Sequence, residues 1–344
     1  MSRILLTGGM GYIGTHTAVA LVDAGHSVIL YDNLSNSKFS VLDRLELIIA
    51  KKLPFIHGDI RNESLLKETL SIYQIDTVIH LAGLKSVSDS NKWPVEYYHN
   101  NVMGTICLLK AMSEMNVKRL VFSSSATVYG EPEYLPIDEA HPTCAINPYG
   151  RTKLHIEEIL VDLVQSQKIS TDKPWKIACL RYFNPVGAHE SKMIGEDGQG
   201  TPNNLMPLIA QVAVGLRSEL NVFGDNYDTP DGSGIRDYIH VMDLAEGHSA
   251  TVDFLDEAQG WHVINLGTGV GLSVFEIVNM FQKESGREIP YRILQRRLGD
   301  TACCYASVDK AKSLLNWQPT RTVGDMCRST WMYQKNIHLK NKGI

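Results

Sequence analysis

Tyr149 and Lys153 stand four residues apart in the run Tyr149-Gly150-Arg151-Thr152-Lys153, which opens a predicted helix. Side chains at this spacing project from the same face of a helix, so we expect the phenol and the ammonium group to be neighbours. A phenol with its ordinary pKa of about 10 is a poor base at neutral pH. A neighbouring ammonium and a further cation would lower that pKa, and Tyr149 could then take a hydroxyl proton while a hydride leaves the same carbon. The pair alone is weak evidence, because tyrosine and lysine at this spacing are common on helix surfaces.

A run of three serines, Ser123-Ser124-Ser125, ends the predicted strand 120–123. A hydroxyl at this position can share the proton that Tyr149 takes and can position the oxygen atom that carries it. We therefore predict that a hydroxyl of this run acts together with Tyr149 and Lys153.

The glycines of the run Thr7-Gly8-Gly9-Met10-Gly11-Tyr12-Ile13-Gly14 follow the spacing Gly-x-x-Gly-x-x-Gly between a predicted strand and a predicted helix. Gly8 allows a sharp exit from the strand, Gly11 lets backbone amides approach a pyrophosphate, and Gly14 brings the helix close to the strand. A purely structural glycine turn is the alternative. Asp32 ends the next strand, where a carboxylate accepts both ribose hydroxyls and repels a 2′-phosphate. The sequence therefore predicts NAD, rather than NADP, as a cofactor.

Further candidate cofactor residues follow the next two predicted strands directly. They are Asp59 and Ile60 after the third strand, and Ala82, Gly83 and Lys85 after the fourth. All of them lie at carboxyl ends of strands, where sheets of this kind bind ligands.

Strands and helices alternate through the first half of the chain. Hydrophobic patterns predict strands over 4–7, 27–32, 55–57, 77–81, 120–123 and 177–180, and helices over 12–24, 64–72, 102–115 and 149–164. Such alternation implies right-handed crossovers and a mostly parallel sheet that is covered on both faces. We predict an α/β protein with a Rossmann-type doubly wound parallel sheet.

The character of the sequence changes after Asn184, where a polar, glycine-rich stretch without periodicity runs over 195–202. We therefore divide the chain into an NAD-binding region with the catalytic residues, 1–184, and a smaller α/β region that mainly binds substrate, 185–344. Helices are predicted in the second region over 205–215, 241–256, 274–285 and 309–315. The apolar run 263–266 is expected to return as a strand to the first sheet.

Composition and charge exclude several classes of protein. The chain has 344 residues, and 33 Lys plus Arg against 38 Asp plus Glu give a formal net charge of −5. We expect no nucleic-acid partner, because a phosphate backbone needs a basic stripe. No apolar run approaches the roughly 20 residues of a membrane span, and the N-terminal run is too short for a signal peptide, so a cytoplasmic protein without a membrane partner is expected. Cysteines and histidines show no ligand spacing, and no metal site is predicted.

Nine stretches of the sequence together resemble the extended short-chain dehydrogenase/reductase family, and more closely its UDP-galactose 4-epimerase branch. They are Thr7–Gly14, Asp32-Asn33, Gly58–Arg61, Ser123–Gly130, Tyr149–Lys153, Arg181–Pro185, Pro202–Leu205, Arg236–Val241 and Asn265–Gly267. This resemblance covers nearly the whole chain. It implies a UDP-hexose 4-epimerase that keeps NAD bound through turnover. It also implies a homodimer joined through helices 102–115 and 149–164, although an apolar outer helix face is equally consistent with packing within one chain.

The resemblance also implies roles for individual residues. Tyr149 would be the base, Lys153 its activator and ribose anchor, and Ser125 the second hydroxyl. The further residues expected to bind the cofactor are Tyr12, Ile13, Asn33, Asn36, Leu81, Asn100, Ser123 and Tyr182. The residues expected to bind the UDP-sugar, besides Ser125 and Tyr149, are Lys85, Asn184, Asn203, Asn204, Leu205, Phe223, Arg236, Tyr238, Arg297, Asp300 and Cys304.

Three of these substrate residues also make chemical sense by themselves. Arg236 and Arg297 offer bidentate guanidinium forks suited to phosphate oxygens, and Asp300 can accept a hydrogen bond from a ribose hydroxyl. Each arginine taken alone could equally form a surface salt bridge. Together the three residues favour a nucleoside diphosphate.

The mechanism implied is oxidation at C4 of a UDP-hexose, rotation of the 4-keto sugar, and return of hydride to its other face. It needs weak sugar contacts beside tight nucleotide contacts. A 4,6-dehydratase of the same family would carry an Asp-Glu pair where this chain has Ala126-Thr127, which argues against that activity. A dehydrogenase that releases reduced cofactor and a non-catalytic NAD-binding regulator stay open as alternatives, although the regulator would tolerate loss of Tyr149 or Lys153.

The choice of sugar is expected to depend on Cys304. Several epimerases of the family have a bulky tyrosine at this point of the sugar pocket, and a smaller side chain leaves room for an N-acetyl group. The resemblance is then to epimerases that accept both UDP-glucose and UDP-N-acetylglucosamine, although Cys304 could also be a packing choice. Leu298 stands where the family usually has an acidic residue, and this departure loosens the assignment of Arg297 and Asp300.

Overall fold

The computed structural model describes residues 1–166, 173–200, 202, 204–297 and 299–341. In chain order, the elements of this part are β1 (Arg3–Thr7), α1 (Tyr12–Asp23), β2 (Ser27–Asp32), α2 (Ser40–Ile49), β3 (Phe55–His57), α3 (Glu63–Ile72), β4 (Thr77–His80), α4 (Val87–Lys92), α5 (Pro94–Tyr97), α6 (Gly104–Glu114), β5 (Arg119–Ser125), α7 (Pro148–Ser166), β6 (Lys176–Tyr182), β7 (Asn184–Val186), α8 (Leu205–Ala213), β8 (Leu220–Phe223), β9 (Ile235–His240), α9 (Val241–Glu257), β10 (Gly260–Leu266), β11 (Gly271–Ser273), α10 (Val274–Ser285), β12 (Tyr291–Leu294), β13 (Cys303–Cys304), α11 (Asp309–Leu315) and α12 (Val323–Asn341).

A seven-stranded parallel sheet with the order β3-β2-β1-β4-β5-β6-β10 forms the centre of the molecule. The order reverses between β1 and β4, and a crevice at such a switch point is where doubly wound sheets bind ligands. The α/β fold with a Rossmann-type sheet, predicted from the sequence, is confirmed.

Apolar side chains of alternate strand positions point to opposite faces of this sheet. On β1, Ile4 and Leu6 join a core that also holds residues of α1, α2, α9 and α11. Leu5 joins the other core, which holds residues of α3, α6 and α7. Because parallel strands are buried on both faces, they read as nearly continuous apolar runs.

The second part of the chain builds a smaller unit and also returns to the large sheet. A four-stranded sheet joins β7, β9, β11 and β13, and β8 pairs with β12. Helices α8, α10 and α12 surround the apolar core of this unit. Strand β10 pairs with β6 along the edge of the large sheet, as the run 263–266 predicts. The division at residue 184 stays a prediction.

Element bounds differ from the predicted ones mainly where polar residues continue a strand or start a helix. The predicted strand 120–123 extends to Ser125 as β5, and the predicted helix 102–115 begins as a π-helical turn, Tyr98–Met103, before α6. The pattern analysis missed α2 and α12. In α12, Met326, Thr330 and Tyr333 are buried at helical spacing, but Thr330 is itself polar and follows the polar Arg328 and Ser329, and this weakens the apolar signal.

Among the helices of the described residues, none is long and apolar enough to cross a membrane.

Candidate active site

The glycine loop between β1 and α1 is a tightly packed backbone turn. Gly8 has a φ of +70° and its added Cβ would lie 2.7 Å from the amide nitrogen of Ala82. An added Cβ on Gly14 would lie 2.3 Å from the carbonyl oxygen of Gly8. Gly11 is the N-cap of α1, and it has no side chain with which to shield the helix amides of Tyr12 and Ile13. The loop therefore forms a cradle for an anion at the helix N-terminus.

We expect Gly14→Ala to cost about 2–3 kcal/mol of unfolding free energy, because the new methyl group overpacks against backbone that cannot move aside. Urea unfolding of the purified variant measures this loss. Gly324→Ala is the matched control, since its added Cβ would meet side-chain ends rather than backbone, namely Glu284 at 3.3 Å and Thr322 at 3.6 Å. Equal stability of the two variants would contradict the packing argument.

Asp32 is held facing the glycine loop by three hydrogen bonds. Its carboxylate accepts from the amide of Met10 at 3.0 Å, the amide of Leu34 at 2.8 Å and the hydroxyl of Ser37 at 3.1 Å. The side chain of the next residue, Asn33, bonds to Asp59 instead. The carboxylate is thus oriented at the carboxyl end of β2, where a ribose would lie.

Asp59 follows β3 and belongs to a small polar group. The Asn33 amide donates to it at 3.0 Å, and Arg61 forms an ion pair with it at 2.7 Å. The Arg61 guanidinium holds the pKa of the Asp59 carboxyl well below its usual range. The neighbouring Ile60 is buried, and its side chain occupies the space beside Gly104.

The chain that leaves β4 is fixed next to α7 by Asn101. The amide of Leu81 donates to Thr7 at 3.0 Å, which keeps Ala82 and Gly83 against the glycine loop. The side chain of Asn101 accepts from the amide of Leu84 at 2.8 Å, donates back to the Leu84 carbonyl at 3.0 Å and donates to Thr152 at 3.1 Å. The sequence analysis missed Asn101 and named its neighbour Asn100, whose amide donates to Asn101 at 2.9 Å.

Lys153 lies inside the protein. Only 5% of the residue is exposed, its Nζ donates to the carbonyl of Ser123 at 2.6 Å, and the ammonium lies 4.9 Å from the ring centre of Phe122. Burial lowers the pKa of Lys153 to about 8. A buried ammonium with one strong acceptor remains able to donate its other protons toward the carboxyl edge of the sheet.

We expect Lys153→Met to unfold at a higher temperature than the wild type at pH 7. Burying the Lys153 ammonium lowers the stability of the folded protein, and this loss is complete below pH 8. Between pH 8 and the unfolded pKa of about 10.5, the unfolded chain binds more protons than the folded one, so the loss becomes smaller as the pH rises. The advantage of the variant should therefore shrink between pH 8 and pH 10, as followed by thermal unfolding. The exposed Lys51, replaced by Met, is the control. A pH-independent difference would contradict this assignment.

Tyr149 and Ser125 meet at the end of β5. Tyr149 lies in the first turn of α7, and a hydrogen bond joins it to Ser125. Burial raises the pKa of Tyr149 to about 12, and the bond to Ser125 works against this rise. Thr127 donates its hydroxyl to Ser125 at 3.0 Å. The protein alone therefore keeps the phenol protonated at neutral pH, and a further positive charge is needed to make it a base.

A buried ion pair behind the serine run was not predicted. Glu157 accepts from Arg181 at 2.6 Å and from the hydroxyl of Ser124 at 2.5 Å. Glu157 lies four residues after Lys153, just as Lys153 lies four residues after Tyr149. This repeated i+4 spacing is the sequence pattern from which Glu157 could have been predicted to face the same site. Through the bond to Ser124, the Glu157–Arg181 pair holds the end of β5 in place. The neighbours of Ser124 are Ser123, whose carbonyl accepts from Lys153, and Ser125, which bonds to Tyr149.

In the second part of the chain, two arginines and an aromatic ring lie at the end of β8, at the start of β9 and shortly after β12. The guanidinium of Arg297 lies 4.4 Å from the ring centre of Phe223 and pairs with Asp300 at 3.1 Å. Arg236 pairs in register with Cys304 of β13 and donates to the Ile235 carbonyl at 2.8 Å. Phe223, Arg297 and Asp300 thus lie together, and the Arg297–Asp300 contact is also the surface salt bridge that the alternative would give.

The remaining substrate residues surround the start of α8. Asn204 is the N-cap of α8 and Leu205 its first residue. Asn184 pairs in register with Tyr238, which is buried. Asn203 and Leu298 lie outside the described residues. The structure brings this group to the same crevice as Lys85, because Lys85 and Asn204 share one partner, Glu196.

Other predicted cofactor residues contact distant parts of the chain. The hydroxyl of Tyr12 donates to the Gly187 carbonyl at 2.7 Å. Tyr182 is buried and hydrogen-bonds His248 of α9. Asn36 accepts from the amide of Gln199 at 3.0 Å. Tyr12 and Tyr182 thus connect the crevice to the second part of the chain.

The residues present fit a dinucleotide. The glycine cradle leaves helix amides for a pyrophosphate, Asp32 is oriented for a ribose, and Lys153 lies at the carboxyl edge of the sheet with Gly83 nearby. Each feature stands at the switch point of the sheet, where such ligands bind.

Comparison with known proteins agrees with this geometry. A family model described as GDP-mannose 4,6 dehydratase matches residues 5–330. A UDP-glucose 4-epimerase of Dictyostelium discoideum is 51% identical over 333 residues, which cover 96% of this chain and 95% of the relative.

Two solved structures share the fold at nearly full length. A UDP-glucose-4-epimerase from Stenotrophomonas maltophila with bound NAD and formylated UDP-arabinopyranose has a TM-score of 0.96 and 46% identity, covering 99% of this chain and 100% of that one. The UDP-Glc/GlcNAc 4-epimerase of Campylobacter jejuni has a TM-score of 0.83 and 34% identity, covering 98% of this chain and 100% of that one.

Proposed function

The chain belongs to the UDP-glucose 4-epimerases of the extended short-chain dehydrogenase/reductase family, and on this premise we propose that it interconverts UDP-glucose and UDP-galactose with bound NAD. The observation that carries the proposal is the meeting of Tyr149, Ser125 and Lys153 beside the glycine cradle. A proton acceptor and a dinucleotide site then face the same carbon of a substrate.

The cofactor would be held by the glycine loop, Asp32 and Lys153. When bound, NAD accepts hydride from C4 of the sugar and returns it, and its oxidised ring carries a positive charge. Burial raises the pKa of Tyr149 to about 12. The positive charge of the ring and the Lys153 ammonium favour the phenolate and therefore act against this rise.

Tyr149 would remove the proton from the sugar O4 and later give it back. Ser125 is hydrogen-bonded to Tyr149 and can hold the same oxygen through both steps. Lys153 is held by the Ser123 carbonyl at 2.6 Å and keeps its charge beside the phenol. The 4-keto sugar would turn between the two steps and expose its other face.

The two sides of the crevice supply the unequal contacts that such a rotation needs. Arg236, Arg297 and Asp300 are charged and suited to the diphosphate and ribose of UDP. The wall that follows Ser125 contains small or apolar side chains, Ala126 and Cys304, which pack against the same apolar cluster. Tight nucleotide binding with a weakly held sugar anchors the substrate and leaves its hexose free to turn.

A 4,6-dehydratase activity is the alternative that the matched family model raises. Elimination of water needs a further acid and base near the sugar. At the positions after Ser125 this chain has Ala126, which cannot ionise, and Thr127, whose hydroxyl donates to Ser125 at 3.0 Å. The site therefore favours epimerisation.

We further propose that UDP-N-acetylglucosamine and UDP-N-acetylgalactosamine are substrates, because Cys304 leaves more room in the sugar wall than a tyrosine would. The likeness to the Campylobacter jejuni enzyme supports this extension. A homodimer through α6 and α7 also remains a proposal.

Incubation of the purified protein, without added NAD, with equimolar UDP-galactose and UDP-N-acetylgalactosamine tests the activity. Anomeric proton signals in NMR spectra report each sugar separately. Conversion of UDP-galactose supports a self-sufficient epimerase, and conversion of both supports the wider sugar range. A dehydrogenase would instead accumulate oxidised sugar and reduced cofactor, and no conversion even with added NAD would overturn the proposed function.

A further inference from the structure

The segment Ile194–Gln199 crosses from the second part of the chain to the cofactor side of the crevice, and its first residues are anchored rigidly. Ile194 is only 2% exposed and belongs to the core under α1 and α2. An added Cβ on Gly195 would lie 2.5 Å from the ring of Tyr333. This end of the segment cannot move without disturbing the core.

The far end of the segment is fastened to the loop after β2 by polar contacts alone. Gln199 donates its backbone amide to Asn36 at 3.0 Å and its side-chain amide to the Ser37 carbonyl at 3.2 Å. The carboxylate of Asp197 pairs with Lys38 at 3.2 Å. These partners directly follow Asp32, so the segment covers the loop that would enclose the adenosine end of the dinucleotide.

In the middle of the segment, Glu196 connects the two ligand sites. One oxygen of its carboxylate, Oε1, accepts from Lys85 at 2.9 Å and from Asn204 at 2.7 Å. Lys85 lies on the predicted cofactor side and Asn204 on the predicted UDP side. The segment therefore touches both sides of the crevice as well as the loop after β2.

We propose that Ile194–Gln199 is a strap that retains the dinucleotide between catalytic cycles, with Asp197 and Gln199 as the residues that fasten it over the loop after β2. This role rests on the proposed function, because an epimerase regenerates its cofactor in place and gains nothing by releasing it.

The contacts suit a strap that opens rarely but reversibly. Exposed ion pairs and hydrogen bonds are individually weak, so the far end can detach while the anchored end at Ile194 stays in the core. Removal of the Asp197–Lys38 ion pair and of the Gln199 side-chain bond to Ser37, while the backbone bond to Asn36 stays, should then raise the rate of cofactor release without affecting the fold.

The test compares the double variant Asp197→Asn/Gln199→Ala with the wild type and with Glu219→Gln. Glu219 pairs with Arg292 at 3.0 Å in an exposed ion pair of similar kind, away from the strap. Each protein is loaded with NAD and diluted, and portions are passed through a desalting column at set times. Protein-bound NAD is then released by acid and quantified by chromatography. The melting temperature of each protein after NAD is stripped reports stability separately.

We expect the double variant to release NAD about tenfold faster, equivalent to about 1.4 kcal/mol, with an unchanged melting temperature in the stripped form. Glu219→Gln should release NAD at the wild-type rate. Equal release rates in all three proteins would overturn the strap while leaving the function intact, provided the wild type epimerises. A faster release that accompanies a lowered melting temperature of the stripped form would assign Asp197 and Gln199 to general stability and also overturn it. A wild type that neither retains NAD nor epimerises would overturn both proposals.

Discussion

Replacement of Tyr149 by phenylalanine is expected to lower kcat for UDP-galactose by about 10³-fold, with a KM close to that of the wild type. The variant keeps the ring and loses the hydroxyl that is bonded to Ser125, and general-base catalysis by a positioned side chain is worth about 10²- to 10⁴-fold. KM should change little because the charged contacts proposed for UDP are made by Arg236 and Arg297 rather than by Tyr149. A coupled assay for UDP-glucose measures both constants.

Tyr134→Phe is the matched control for this experiment. Tyr134 is 43% exposed, and its hydroxyl donates to Asp138 at 2.8 Å, away from the crevice. This control should keep the wild-type rate. If Tyr149→Phe retained a kcat within tenfold of the wild type, Tyr149 could not be the base, and another group would have to take the proton.

Local patterns were sufficient to predict the part of the fold that carries the cofactor cradle. Strands β1, β2, β4, β5 and β6 consist mostly of buried residues, and the glycine loop directly follows β1, so apolar runs and glycine spacing both point to the same architecture. The spacing of Tyr149 and Lys153 correctly placed them on one face of α7, and both reach the end of β5 near Ser125.

Contacts between distant residues could not be read from the sequence in the same way. Asn101 and Glu196 act through partners 17 and 111 positions away, the Leu84 backbone and Lys85. Asn101 and Glu196 both stand beside polar residues. In such a stretch, a functional asparagine or glutamate has the same local pattern as a solvated surface residue. Likewise, the sequence predicts a lowered pKa for Tyr149, whereas in the structure burial raises this pKa. How deeply Tyr149 is buried depends on the packing of distant parts of the chain, which a local pattern does not show.

The expected width of the sugar pocket follows from the packing around Cys304. The thiol lies on β13, in register with Arg236 on β9, and packs against the same apolar cluster as Ala126, the residue after Ser125. Burial raises the pKa of the Cys304 thiol to about 11, so this thiol is uncharged at neutral pH. On the proposed assignment of Cys304 to the sugar pocket, a phenol at this position would occupy space in which the sugar turns.

Cys304→Tyr is therefore expected to reduce kcat/KM for UDP-N-acetylgalactosamine by about 100-fold, while kcat/KM for UDP-galactose changes less than threefold. Steric exclusion from a formed pocket typically discriminates by about 10- to 200-fold, and an N-acetyl group is much larger than the hydroxyl it replaces. Initial rates on each substrate, followed by NMR, measure the ratio.

Cys303→Tyr separates pocket width from general damage to β13. Successive residues of a strand point to opposite faces, so a tyrosine at 303 should not enter the same space and should leave the ratio of the two substrates unchanged. An equal loss on both substrates in Cys304→Tyr would show that Cys304 serves packing rather than selectivity. A selective loss in Cys303→Tyr instead would move the sugar wall by one residue, because the side chain on the other face of β13 would then be the one that meets the N-acetyl group.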